Sequence, residues 1–184
     1  MTEQSAGITE QNTMNKSMPV KTPPAIILGI DPGYDRIGWA VGQKKAQSIE
    51  VLGYGLIQTD SKTKLSQRYQ QIQQELSQVI KQYQPQICAI EKLFFAQNKT
   101  TALKVSEARG VIVITAISHH LAIREFSPQK IKLCVTGYGK ADKKAVTKML
   151  RIQLKLPAGK LIDDVTDALA VVLTASFMQN QLVE

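Results

Sequence analysis

Cysteine and histidine are scarce in this chain of 184 residues, two of each, and their scarcity excludes several chemistries. Cys88 and Cys134 sit in apolar surroundings (QICAI and KLCVT), so they are expected as reduced, buried thiols of a cytoplasmic protein, not as a disulfide framework. No Cys/His cluster has the spacing of zinc ligands. His119 and His120 end a helical pattern, where they suit the negative end of the helix dipole better than a catalytic role, and no Ser-His-Asp order is apparent. Long apolar runs are missing too. The longest, VIVITAI (111–117), falls well short of the roughly 18 residues that cross a bilayer, so no membrane is expected as a partner. The first 24 residues lack a hydrophobic segment and end in Pro-Pro, unlike a secretory signal, and Glu3 and Glu10 argue against a transit peptide. Residues 1–24 are expected as a disordered tail and residues 25–180 as one domain.

What is present is ordinary in amount and uneven in placement. The chain is 43% hydrophobic and 21% charged, with a net charge of +8, and is long enough for a proper core. The excess of positive charge is concentrated. Residues 124–155 hold nine Lys and Arg against two acidic residues, and an acidic segment follows. Such a stripe suits either a solvated lysine-rich surface or a polyanion, most simply nucleic acid.

Hydrophobic patterning supplies the elements. AIILGID (25–31) reads as a buried strand, and RIGWAVGQ (36–43) and SIEVLGYGLIQT (48–59) as two more, joined closely enough for an antiparallel meander. In residues 64–84, Leu65, Tyr69, Ile72, Leu76, Val79, Ile80 and Tyr83 recur in steps of three and four, one face of a helix that Pro85 stops. QICAIEK (86–92) is a short buried strand. A helix follows over 100–120, capped by Thr100, then a strand at AIREFS (122–127) and a short turn opened by Ser127-Pro128. Two further helices follow, 142–155 with Val146, Met149, Leu150 and Leu154 inward, and one that starts near Asp163. The order βββ-α-β-α-β-α-α implies an α/β fold: a mixed five-stranded sheet, antiparallel across β1–β3 and parallel across β1, β4 and β5, with helices on both faces.

Four acidic residues sit at the ends of elements that are otherwise apolar. Asp31 ends the first strand and Glu91 the fourth, while Asp164 and Asp167 lie three apart on one face of the last helix. Taken singly, Asp31 starts a Pro-Gly turn, Glu91 is a charge at a strand end, and Asp164 is an acid suited to a helix N-terminus. Together, parallel neighbours β1 and β4 would set Asp31 beside Glu91, and a helix N-terminus packed there would bring four carboxylates together. Oxygen-only ligation selects hard divalent cations such as Mg2+, and paired ions of that kind hydrolyse phosphodiesters.

These residues resemble the RuvC-type Holliday-junction resolvases of the ribonuclease H-like fold. The resemblance runs over about residues 26–178 and rests on IDPG around Asp31, AIEKLFFAQN around Glu91, TALKVSEARGV (101–111), VTGYGKADK (135–143) and LKLP with DDVTDALA (154–170). It implies a ribonuclease H-like nuclease domain over 25–180 that nicks two strands of like polarity symmetrically across a four-way DNA junction. Also implied are two Mg2+ ions per active site, with Mn2+ as a substitute, a homodimer with TALKVSEARGV at its interface, and the RuvA–RuvB branch-migration complex as partner. Residue by residue, the resemblance makes Asp31, Glu91, Asp164 and Asp167 the catalytic metal ligands. Phe94 falls where a ring can stack on an unpaired base, and Lys132 and Lys143 fall near the scissile phosphate.

The turn PGYDRIG departs from the small residue usual after Pro-Gly in the family, which leaves Tyr34, Asp35 and Arg36 without a role. Asp163 adjoins Asp164, and only the spacing to Asp167 chooses between them. Two other readings stay open. The opening motif also resembles the YqgF-like nucleases of the same superfamily, which act on RNA; AIEK, DDVTDALA, the aromatic loop and Lys143 favour the resolvase. A catalytically silent junction-binding protein would be expected to lack an acid, and all four are here.

Overall fold

The computed structural model describes residues 24–178, apart from residues 47, 94–98, 158 and 160 and the side chains of 99–101. The tail expected over residues 1–24 lies outside the described residues except for Pro24, and so do the expected capping side chain of Thr100 and the whole of Phe94. The frame is a five-stranded sheet in the order β3-β2-β1-β4-β5, formed by β1 (Ile26–Asp31), β2 (Arg36–Lys44), β3 (Ile49–Gln58), β4 (Ile87–Glu91) and β5 (Ala122–Phe126). The meander β1–β2–β3 is antiparallel, and β4 and β5 join it in parallel. A tight turn can only reverse a strand, whereas a helical crossover restores its direction. The mixed sheet expected from the order of elements is therefore the one observed.

Five helices cover it: α1 (Leu65–Tyr83), α2 (Lys99–Ser118), α3 (Pro128–Thr136), α4 (Lys143–Gln153) and α5 (Asp163–Phe177). One of them corrects the sequence reading. Only a short turn is expected after Ser127-Pro128, but the chain forms the nine-residue helix α3 there. The capping signal is genuine, since the Ser127 hydroxyl accepts a hydrogen bond from the Lys130 amide at 3.2 Å. Only Ile131 and Val135 of α3 are buried, too few for a hydrophobic period to announce a helix.

Strand alternation divides the core in two. Leu28, Ile30, Cys88 and Ile90 face α1 and α2, where they pack with Ile72, Leu76, Ala108 and Ile112. Ile27 and Ala89 face the other way, against Ile131, Val146, Leu150 and the apolar body of α5. The same alternation turns Gly29, Asp31 and Glu91 to the α5 side. Gly29 is required there: a Cβ would overlap the backbone of Ala168 and the side chain of Val172, so α5 lies directly on β1. Both cysteines are free. Cys88 is buried as expected, but Cys134 is only half-buried. Among the described residues no helix is long and apolar enough to cross a membrane.

Candidate active site

Three elements end at one place. Ile30 of β1 pairs with Ile90 of β4 in parallel register, so one residue further on Asp31 and Glu91 stand side by side. On its other flank Asp31 pairs with Gly38 of β2. A Cβ on Gly38 would overlap the Asp164 carbonyl, which shows how closely the first turn of α5 sits on β2 beside Asp31. Glycine at 38 is what lets this helix end reach the carboxylates of the sheet. Asp167, three residues on, shares the helix face with Asp164.

The electrostatics bear out the crowding. Burial pushes the Asp31 carboxyl up from 3.8 to about 7, and the charges of Asp167, Glu91 and Asp164 add to the shift against Lys143. Glu91 is likewise raised to about 7 by burial and by Asp167, with Lys132 and Lys143 opposing. Burial also raises Asp167, while Lys143 pulls it down. Lys143 itself is lowered by burial, but Asp167 and Asp163 outweigh that and leave it above its usual value. Asp31, Glu91 and Asp167 each feel a neighbouring acid as a penalty, which is the signature of a carboxylate set built for a cation.

Two of the acids are already engaged. The Arg36 guanidinium donates to Asp164 Oδ2 at 2.5 Å, and Lys143 Nζ lies 3.2 Å from Asp167 Oδ2 and 3.3 Å from Asp163 Oδ2. With the side chains so partitioned, no three His, Cys, Asp or Glu groups among the described residues stand together as a ready metal cage. The donor chemistry nonetheless fits a hard divalent ion, with four carboxylates from three elements and no soft ligand among them. Asp163 is well exposed, its side chain 78% accessible, against 25% for Asp164. Asp164 is also the one of the two that acts on Asp31.

Beside the acids opens a cleft of about 290 Å3 lined by Glu91, Asp167, Lys132, Lys143, Ile131 and Val146, among others. Its basic wall comes from α3 and α4, within the positively charged window. Lys132 and Lys143 are therefore brought to the site. Phe94 lies outside the described residues.

Comparison with known proteins decides the family. The family model described as crossover junction endodeoxyribonuclease RuvC matches residues 27–175. The chain belongs to the RuvC family. A RuvC of Alkaliphilus metalliredigens is 46% identical over 146 residues, 79% of this chain and 89% of that one. The RuvC of Thermosipho melanesiensis is 43% identical over 145 residues, 79% and 92% of the two chains. Among solved structures, Thermus thermophilus RuvC in complex with a Holliday junction superposes with a TM-score of 0.80 at 28% identity, covering 84% of this chain and 94% of that one. The yeast mitochondrial Holliday junction resolvase shares the fold, with a TM-score of 0.67 at 12% identity.

Two residues at this candidate site escape sequence reasoning. Arg36 touches Asp164 across 128 positions of chain, and Arg68 of α1 is buried beneath the turn that follows Asp31. Arg68 Nη2 donates to the Tyr34 carbonyl at 2.8 Å and to the Asp35 carboxylate, and Nε donates to Thr59 Oγ1 at 2.9 Å. A signal for Arg68 did exist: it lies four residues before Ile72 on the apolar face of α1, a charge where the helical pattern calls for a hydrophobe.

Proposed function

We propose that this chain is a structure-specific endonuclease that resolves four-way (Holliday) DNA junctions by paired, symmetric nicks in the cytoplasm, during recombination and repair. The observation that carries the reading is the meeting of Asp31, Glu91, Asp164 and Asp167 at one edge of the sheet, beside a basic cleft, in a chain of the RuvC family. The four carboxylates are the residues that would hold Mg2+, two ions in all, with Mn2+ as a substitute. Bound there, such ions would supply an activated water and charge neutralisation at the phosphodiester.

The chain's own groups do the rest. Lys132 and Lys143 line the cleft next to Glu91 and Asp167, where their ammonium groups can take the oxygens of the phosphate to be cut and hold it against the acids. Strand β1 and the seated end of α5 keep the carboxylates from drifting, since both are core elements. Phe94, one position past the described residue Leu93, is assigned to stacking on a base opened at the junction.

Paired nicks need two equivalent sites, and helix α2 offers the surface for a homodimer. Leu103, Ile114 and Ile117 are exposed on it, and with Glu107 and Gly110 they follow one stripe in steps of four and three. A Cβ on Gly110 would meet nothing among the described residues. A glycine inside a helix costs about 1 kcal/mol relative to alanine, and no contact among the described residues offsets it; a second helix approaching closely at Gly110 would. The RuvA–RuvB branch-migration complex is the partner assigned for delivery to junctions.

The test is a synthetic four-way junction with Mg2+. Wild type should convert it to nicked duplexes, and Asp31→Asn should bind it and leave it uncut, since amide for carboxylate preserves shape and removes a charged ligand. Equal cutting of linear duplex or of RNA would overturn the assignment.

A further inference from the structure

We propose that Arg36 is a positioning residue for Asp164: in the DNA-free protein its guanidinium holds that carboxylate, and a backbone phosphate of bound DNA draws the guanidinium away and leaves Asp164 to the other acids and their cation. The proposal rests on the nuclease reading above and adds to it a coupling between DNA and metal that runs through one side chain.

The geometry is fixed at the backbone and free at the tip. Arg36 opens β2 and pairs with Gln58. The turn before it is tight, because a Cβ on Gly33 would overlap the Arg36 carbonyl oxygen. Arg68, only 4% exposed, ties this turn down from below through the Tyr34 carbonyl, the Asp35 carboxylate and Thr59. The Thr59 amide in turn donates to the Asp35 carbonyl at 2.9 Å. Across the gap, Asp164 is anchored by the seat of α5 on Gly38. Both backbones are held by these contacts, so the exchange proposed is one between side chains.

Arg36 can do so. Its side chain is 47% exposed while that of Asp164 is 25% exposed, and it lines an open depression with Asp35, Gln58, Thr59, Asp60 and Ser61, where Asp35 is already paired with Arg68. Its contact with Asp164 is a single donor–acceptor pair, whereas a phosphate can accept from a guanidinium in two parallel bonds. A ligand that removes Arg36 from Asp164 makes cation binding more favourable, and by reciprocity the cation makes DNA binding more favourable by the same factor. Arg36 thus accounts for the residue after Tyr34-Asp35 in a turn where the family pattern gives it no role.

The experiment titrates Ca2+, a hard oxygen-seeking cation, into the full chain by calorimetry, without DNA and with a saturating four-way junction. Without DNA, Arg36→Gln should bind Ca2+ about fivefold more tightly than wild type, the order of a half-exposed ion pair. The junction-dependent gain in affinity should shrink by the same factor, and Arg36→Lys, which keeps the charge, should restore wild-type behaviour. Lys132→Gln removes a positive charge from the cleft wall and should change the DNA-free affinity less than Arg36→Gln. Equal shifts for these two variants would mean a general field and overturn the proposal, as would an unchanged affinity in Arg36→Gln. If Arg36→Gln melts before it can be titrated, Arg36→Met carries the same comparison. Wild type that neither binds Ca2+ nor cuts a junction with Mg2+ would overturn the nuclease reading; wild type that does both, with no effect at Arg36, overturns this proposal alone.

Discussion

Asp31 and Glu91 are acids held where their charge is disfavoured, and that has a consequence measurable without any substrate. Each is raised to about 7, chiefly by burial and then by neighbouring carboxylates. In the unfolded chain both titrate near 4, so between about pH 4 and 7 the folded state binds more protons than the unfolded one. Stability from this source is present below pH 4 and is lost as pH rises through about 7. In EDTA, the melting temperature of wild type should therefore fall between pH 5 and pH 8 relative to that of Asp31→Asn. At pH 8 the variant should be the more stable by on the order of 2 kcal/mol, or about 5 °C in a domain of this size. Mg2+ added at pH 8 should recover the difference in wild type and do little for the variant. A wild type that melts at the same temperature as Asp31→Asn at pH 8 without metal would show that the acids are not crowded.

At the scale of elements, the turn after β1 depends on α1, and its strength can be tested through Arg68. Replacing Arg68 by methionine keeps most of the packing but takes the donor from the buried Thr59 hydroxyl, one of two donors from the Tyr34 carbonyl, and the ion-pair partner from Asp35. A loss of about 2 kcal/mol is expected by denaturant titration. Junction cutting should fall further than that stability loss explains, because the turn carrying Asp31 and Arg36 loosens. Unchanged cutting at a temperature where the variant is folded would confine Arg68 to stability. This contact marks the limit of what the chain discloses before folding. The sheet order, its parallel and antiparallel pairs, and the acids Asp31, Glu91, Asp164 and Asp167 are legible because each follows from local pattern, an apolar run ending in a charge or a three-residue helical step. Arg36 and Arg68 are not legible in the same way, since their partners lie 128 and 33 positions off and no local period links them. Helix α3 stays hidden for the opposite reason: its signal is local, a Ser-Pro cap, but only two of its residues are buried, so the hydrophobic period that distinguishes a helix from a turn is missing.

For the whole molecule the question is how many copies of the basic window engage one DNA, and salt dependence counts them. The window at 124–155 puts Lys132 and Lys143 on the cleft wall. Every phosphate neutralised adds about 0.9 to the slope of log affinity against log salt. If the α2 stripe joins two copies, Ile114→Glu should give a monomer by sedimentation while the fold persists, because Ile114 is 58% exposed and a charge there is harmless in a single chain but is desolvated in an interface. Its salt slope on a four-way junction should then be about half that of wild type, since one basic face remains. Lys132→Ala in the dimeric background should lower the slope by about 2, one phosphate for each subunit. A drop of about 1 would mean that only one subunit's cleft holds a strand at a time. In that case the two nicks would have to be made in sequence by an asymmetric complex, and the symmetric placement of two sites on one junction would be wrong even with the catalytic acids correctly assigned.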